Sequence, residues 1–190
     1  AHVRGIVHRD LKPQNLFLTH HPDGSPCVKV LDFGISKAAD GDAAPNLTST
    51  DMVMGTPLYM SPEQVRSLKN VDARADIWAL GAILFELLTA TPPFQAPSAS
   101  ALCAMIAMDP PTPLRARRPE APPELEAVIS RCLHKDPVGR FRDVAALAEA
   151  LAPFVSERGR QSVTRVARVV RSWMYFIARS LASVKPGVAG

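Results

Sequence analysis

Asp10, Lys12 and Asn15 fall within the run His8-Arg9-Asp10-Leu11-Lys12-Pro13-Gln14-Asn15, and Asp32-Phe33-Gly34 follows with its aspartate 17 residues after Asn15. Taken as residue types, these offer a carboxylate able to accept a proton and an ammonium two positions away that suits an anionic group. Amide and carboxylate oxygens are also what a hard divalent cation prefers as ligands. Alone in a loop, an Asp, Asn or Lys is ordinarily a turn former or a solvated charge. The information lies in the spacing, which holds over eight successive positions and then again at Asp32.

This pattern resembles the catalytic loop and magnesium-binding signature of protein kinases. The resemblance implies the roles. Asp10 accepts the proton of the substrate hydroxyl, Lys12 sets an ammonium against the transferring phosphate, and Asn15 and Asp32 bind Mg2+ and with it ATP. The residue types suit the work, because transfer of a γ-phosphoryl group needs a carboxylate near the attacking hydroxyl, cations across the phosphates and positive charge for their oxygens. A lysine at position 12 resembles the Ser/Thr-directed members, whereas tyrosine kinases usually carry an Ala-Ala-Arg arrangement in this loop.

Further matches follow downstream. Gly55-Thr56-Pro57-Leu58-Tyr59-Met60-Ser61-Pro62-Glu63 resembles the end of the kinase activation segment, with Ser61 where alanine is commoner. By resemblance Thr56 hydrogen-bonds the catalytic aspartate and lysine, and Val53, Pro57 and Met60 line the pocket for the residue after the phosphoacceptor. Glu63 is expected to pair with Arg140 of Asp136-Pro137-Val138-Gly139-Arg140-Phe141, clamping the segment to the helical core. Arg9 marks kinases switched on by activation-loop phosphorylation, because a phosphate can neutralise it and order the loop. Thr48 and Thr50, seven and five residues before Gly55, resemble the paired threonines of bacterial eukaryotic-like kinases. For Glu86, reading a basic residue of the substrate and being a partly solvated helix charge remain open alternatives.

Certain elements must hold these residues. Leu16–Leu18 and Cys27–Leu31 are β-prone runs around a turn-rich stretch and read as a hairpin. Residues 74–89 are apolar on nearly every face, as expected of a helix surrounded by protein. Asp76 sits at the start of that helix, where a carboxylate costs several kcal/mol unless hydrogen-bonded. The family resemblance supplies its partners, the backbone of the catalytic loop. Ser98–Met108, Glu124–Leu133 and Asp143–Val155 read as further helices, and the proline-rich Pro110–Pro123 is expected to lack regular structure. The expected fold class is therefore mainly α, the helical C-lobe of the protein kinase fold with a small β-hairpin, over residues 1–153. The glycine-rich loop, strand lysine and paired glutamate of the N-lobe do not precede Asp10, so the N-lobe is expected to belong to a longer parent, as the start at Ala1 also implies.

Composition bounds the rest. With 190 residues, 47% apolar and 21% charged, the chain is globular in class. Its three cysteines, Cys27, Cys103 and Cys132, form no CxxC pair, which points to a reducing, cytoplasmic setting. The net charge of +4 is uneven: residues 157–190 hold seven Lys or Arg against Glu157, so the tail carries +6 and the body −2. This argues against a nucleic-acid partner for the body. Residues 154–190 are expected to form a basic amphipathic tail or linker, with Val163, Val166, Val169, Val170, Trp173, Phe176, Ile177 and Leu181 at helical intervals. It could lie on an anionic membrane surface, pack on the body or act as a linker. The expected activity is phosphoryl transfer from ATP to Ser/Thr hydroxyls of protein substrates in the full-length parent, the isolated chain being inactive. A non-catalytic scaffold or regulatory binding module is the alternative.

Overall fold

The structure is a computed structural model that describes residues 2, 6–31, 57–67 and 71–168. Its elements are β1 (Leu16–His20), β2 (Pro26–Val30), α1 (Pro62–Arg66), α2 (Arg74–Thr89), α3 (Ala99–Met108), α4 (Leu114–Arg117), α5 (Pro123–Cys132) and α6 (Val144–Leu151). Thus the described residues are mainly helical, with a two-stranded antiparallel sheet.

α2 is the axis of the body, and three apolar clusters use different sides of it. Trp78, Ala82 and Phe85, at i, i+4 and i+7, pack with Phe94, Leu102, Ile106, Leu114, Ile129 and Leu133. Ile77 meets Cys132, Phe141 and Leu147. Ala79 and Ile83 meet Leu11, so the same helix that centres the core also carries the loop containing Asp10. A helix packed on every side has little freedom to tilt, and this makes α2 a reference frame. It ends at Ala90, whose φ of 58° is left-handed and whose N–H donates to Glu86 O at 2.7 Å.

The other helices are stopped and started by local chemistry. Ser98 Oγ accepts from Ala101 N at the start of α3, and Asp143 Oδ1 from Ala146 N at the start of α6. The last carbonyls of α3 are met by Lys135, whose Nζ donates to Ile106 O at 2.6 Å and Met105 O at 3.3 Å. That ammonium also lies 4.3 Å from the Phe94 ring centre and 5.2 Å from that of Trp78. Burial pushes its pKa down to about 8. The expectation of no regular structure across Pro110–Pro123 needs correction, because α4 makes one helical turn there. Residues 114–118 contain no proline, and Pro113 supplies the extended residue that precedes the turn.

The hairpin pairs Leu16 with Val30 and Thr19 with Cys27 around a turn at Gly24, whose φ is +75°. Leu31 N donates to Asn15 O, carrying the pairing back to the loop. Phe17, Leu18, Val28 and Val30 are exposed. Beyond α6, residues 157–168 are helical, with Ala167 buried and Gly159, Val163 and Val166 half-buried along one side. The remainder of the expected tail helix lies outside the described residues. No helix among the described residues is long and apolar enough to cross a membrane.

α2 and α5 approach closely at Gly81, where an added Cβ would lie 2.4 Å from the Cβ of Cys132. Only movement of the helix backbones relieves such a contact. Gly81→Ala should therefore destabilise the protein by about 1–3 kcal/mol, read as a lower urea midpoint with unchanged slope. A midpoint equal to that of the wild type would show the contact to be slack.

Candidate active site

The buried carboxylate of Asp76 organises the loop. Its Oδ1 accepts the backbone N–H of Arg9 at 2.9 Å, and its Oδ2 accepts that of His8 at 2.8 Å and His2 Nε2–H at 2.6 Å. With 1% of its surface exposed, Asp76 has protein donors in place of water. Arg9 has a φ of 66°, the left-handed region, which costs a non-glycine residue roughly 1–2 kcal/mol. Both backbone polar groups of Arg9 are held, since its carbonyl accepts from Gln64 Nε2 at 2.7 Å.

Gln64 reaches that carbonyl because α1 begins with a capping box, in which Gln64 Oε1 accepts from Ser61 N at 3.1 Å and Ser61 Oγ at 3.2 Å. Both residues are buried. The amide is thereby fixed with its nitrogen towards the loop. Neither Gln64 nor His2 was singled out in the sequence. A Ser-Pro-Glu-Gln start is a readable capping signal for Gln64, whereas nothing around His2 marked it.

The turn at Arg9 delivers Asp10, Lys12 and Asn15 to one place. Lys12 Nζ donates to Asp10 Oδ2 at 2.9 Å. Asn15, buried at the end of the Pro13–Asn15 3-10 turn, donates through Nδ2 to the Asp10 carbonyl at 2.8 Å and to Asp10 Oδ2 at 3.4 Å. With the nitrogen so engaged, the Asn15 Oδ1 is turned the other way and has no hydrogen-bond partner among the described residues. His8 accepts from Asp10 N at Nδ1 (3.3 Å) and donates from Nε2 to the carbonyl of Leu31 (3.0 Å), the residue before Asp32. This geometry selects the Nε2–H tautomer and links the loop to the approach of the second predicted cation ligand.

Glu63 and Arg140 form a two-bond ion pair, at 2.7 Å (Oε1 to Nη1) and 2.8 Å (Oε2 to Nη2). The remaining guanidinium donors go to the carbonyls of His134, Arg74 and Lys135, so all five N–H groups of a side chain with no solvent exposure are used. The plane also lies 5.0 Å from the Trp78 ring centre. Burial by itself pushes the Glu63 carboxyl up. The hydrogen bonds and charge of Arg140 outweigh it and hold the group below the ordinary glutamate range.

Glu86 accepts the Tyr59 hydroxyl at 2.6 Å; burial first, then that carboxylate, raise the tyrosine well above its usual pKa. Pro57 and Met60 lie beside them, buried and half-buried. Asp32, Thr48, Thr50, Val53 and Thr56 lie outside the described residues. So the structure brings together Arg9, Asp10, Lys12, Asn15 and Asp76, and joins Glu63 to Arg140 at the base of the same unit.

Replacing Glu63 by Gln would leave a buried guanidinium facing a neutral amide, one end of which is itself a donor. We expect a loss of about 3–5 kcal/mol at pH 7 in chemical denaturation. The folded-state pKa of Glu63 lies below the unfolded one. The contribution is therefore complete above the ordinary glutamate range and is lost as pH falls through the folded value, so the gap between the two proteins should narrow there. A pH-independent gap would assign the loss to shape and not to charge.

Residues 1–151 match the protein kinase domain family. Over 165 residues the chain is 43% identical to the serine/threonine-protein kinase Pkn1 of Myxococcus xanthus, covering 87% of this chain and 23% of that protein. It is 41% identical over 163 residues to pkn3 of the same organism, with 84% and 30% covered. To PknB of Mycolicibacterium smegmatis the identity is 40% over 147 residues, with 77% and 23% covered. The chain spans less than a third of the length of each of these relatives. With a match over most of its residues and relatives that are bacterial serine/threonine kinases, this chain belongs to the protein kinase domain family.

Proposed function

We propose that these residues form the helical, substrate-binding lobe of a protein Ser/Thr kinase, and that in the full-length protein they transfer the γ-phosphoryl group of ATP to Ser or Thr hydroxyls. The observation that carries this reading is the placement of Lys12 and Asn15 each within 3.4 Å of the Asp10 carboxylate, on a loop fixed by Asp76. In this reading Asp10 accepts the hydroxyl proton and orients the nucleophile. Lys12 provides positive charge at the same spot, and Thr56 steadies both.

The donor set fits Mg2+. Asn15 Oδ1 is oriented away from its own amide's partners, and an amide oxygen with the Asp32 carboxylate is hard-cation chemistry. When bound, Mg2+ neutralises the phosphate charge of ATP. Asn15 and Asp32 would hold it, His8 would brace Leu31 before Asp32, and Arg9 would receive a phosphate placed on Thr48 or Thr50. The exposed apolar hairpin, with Ile6 and Leu31, is the surface this reading gives to the nucleotide-holding N-lobe. Glu63 and Arg140 would anchor the substrate-facing segment. For residues 154–190, peripheral contact with anionic lipid rests on charge alone, while the buried side of helical residues 157–168 favours packing on the protein.

Asp10→Asn is nearly isosteric and keeps an oxygen for Lys12. In the full-length protein it should lower phosphorylation of a Ser/Thr peptide by about 10²–10⁴-fold with the thermal midpoint retained, and should remove phosphate from Thr48 and Thr50 by mass spectrometry. Equal turnover by the two proteins would take Asp10 out of the mechanism. No turnover by either, with nucleotide still bound, would favour a scaffold.

A further inference from the structure

We propose that Ser162, on the helical segment that follows α6, is a phosphoacceptor for the Asp10 site of a second copy of this protein. The proposal rests on the kinase reading and names a substrate for it. Ser162 is exposed, and its hydroxyl donates to the Arg158 carbonyl over a long 3.4 Å. In the run Glu157-Arg158-Gly159-Arg160-Gln161-Ser162-Val163-Thr164-Arg165, arginines stand four and two positions before that hydroxyl and a valine directly after it.

The site has the complementary chemistry. Glu86 is half-buried and commits Oε2 to the Tyr59 hydroxyl, while its Oε1 has no partner among the described residues. Tyr59 packs on the cluster of Leu11, Ala79 and Ile83, which puts this carboxylate on the face of α2 that carries the Asp10 loop. A carboxylate with an open oxygen suits a guanidinium, and Arg160 supplies one. Pro57 and Met60 close a turn around Tyr59, Met60 N donating to Pro57 O at 3.1 Å, and offer apolar surface to Val163. Thr164, the neighbouring hydroxyl, is followed by Arg165 and lacks an apolar residue in that place.

A phosphoacceptor has to leave its helix to reach a carboxylate in a cleft, and this helix opens at little cost. Gly159, Val163, Thr164 and Val166 are weak helix formers, and Ala167 is the single buried residue between 157 and 168. The Arg160–Glu157 pair, with side chains 53% and 73% exposed, holds it only weakly. Leu151 packs in the Ile77 cluster, whereas the Asp10 loop packs on Ala79 and Ile83, so the site of another molecule meets Ser162 without unpacking the segment's origin.

In the step, Ser162 Oγ attacks the γ-phosphorus of ATP, the bond from that phosphorus to the bridging oxygen of ADP breaks, and the hydroxyl proton passes to the Asp10 carboxylate. Back in the helix, the phosphate stands one turn from Arg158 and from Arg165, neither of which has an acid partner among the described residues. The modified segment thus closes again with its new charge paired.

The test presents full-length Asp10→Asn protein, as acceptor, to the full-length wild-type enzyme with Mg-ATP. Mass spectrometry should find phosphate on Ser162 of the acceptor, and a synthetic peptide of residues 155–168 should be phosphorylated at the same serine. Replacing Arg160 by Ala in that peptide should lower kcat/KM about 10-fold, and with a Glu86→Gln enzyme the same replacement should lower it by less than about threefold. Phosphate on Thr48 or Thr50 of the acceptor, with Ser162 unmodified, would overturn the proposal and leave the kinase reading intact. Phosphate on Ser162 of the active molecule alone would overturn the second-copy route, and an equal Arg160 penalty in both enzymes would remove Glu86 as its reader. Absence of phosphate from every residue and from an unrelated Ser/Thr peptide would count against the kinase reading itself, and Ser162 would fall with it.

Discussion

A carboxylate sealed inside the protein must be given donors, and most of the geometry around Asp10 follows from how Asp76 obtains them. The effective cost of burying such a charge is several kcal/mol, more than one hydrogen bond returns. Asp76 meets it with two backbone N–H groups from successive residues and an imidazole. The loop is therefore hung on α2, a helix whose residues join three separate apolar clusters. A flexible loop could not hold Arg9 in a left-handed conformation; one bonded to a fixed helix can.

A second buried network converges on the same residue. Arg140 spends three donors on carbonyls and two on Glu63, which fixes α1. Gln64, the next residue, is locked by the capping box and holds the Arg9 carbonyl. The N–H of Arg9 is thus tied to α2 through Asp76 and its carbonyl to the Glu63–Arg140 pair through α1. Polar groups that cost energy to bury are used here for orientation, and the apolar clusters provide the stability that tolerates them.

The sequence made the chemistry-bearing residues visible because they sit close together: His8 to Asn15 is one run, and the apolar faces of α2 announce a buried helix. It also posed the right question of Asp76, since a carboxylate at the head of such a helix demands partners. Long-range partners were harder to see. The Glu63–Arg140 pairing came from family resemblance, and no local pattern could have indicated that Arg140 also ties down the carbonyls of His134, Arg74 and Lys135. Gln64 was readable only as a helix cap; its bond to Arg9, 55 positions away, depends on the tertiary arrangement. His2 had no signal, because a lone histidine gives no indication of which buried acid it will meet. The α4 turn was missed because prolines at its borders masked a short stretch free of them.

Asp76 sets the backbone of Arg9 and through it the position of Asp10. A crystal structure of the Asp76→Asn variant tests this dependence, because the amide keeps the size of the side chain while turning one acceptor into a donor that faces other donors. In that variant α2 should stay in place, Arg9 should leave the left-handed region, and the contacts of Asp10 with Lys12 and Asn15 should break. Arg9 still near a φ of 66°, with those contacts intact, would contradict it.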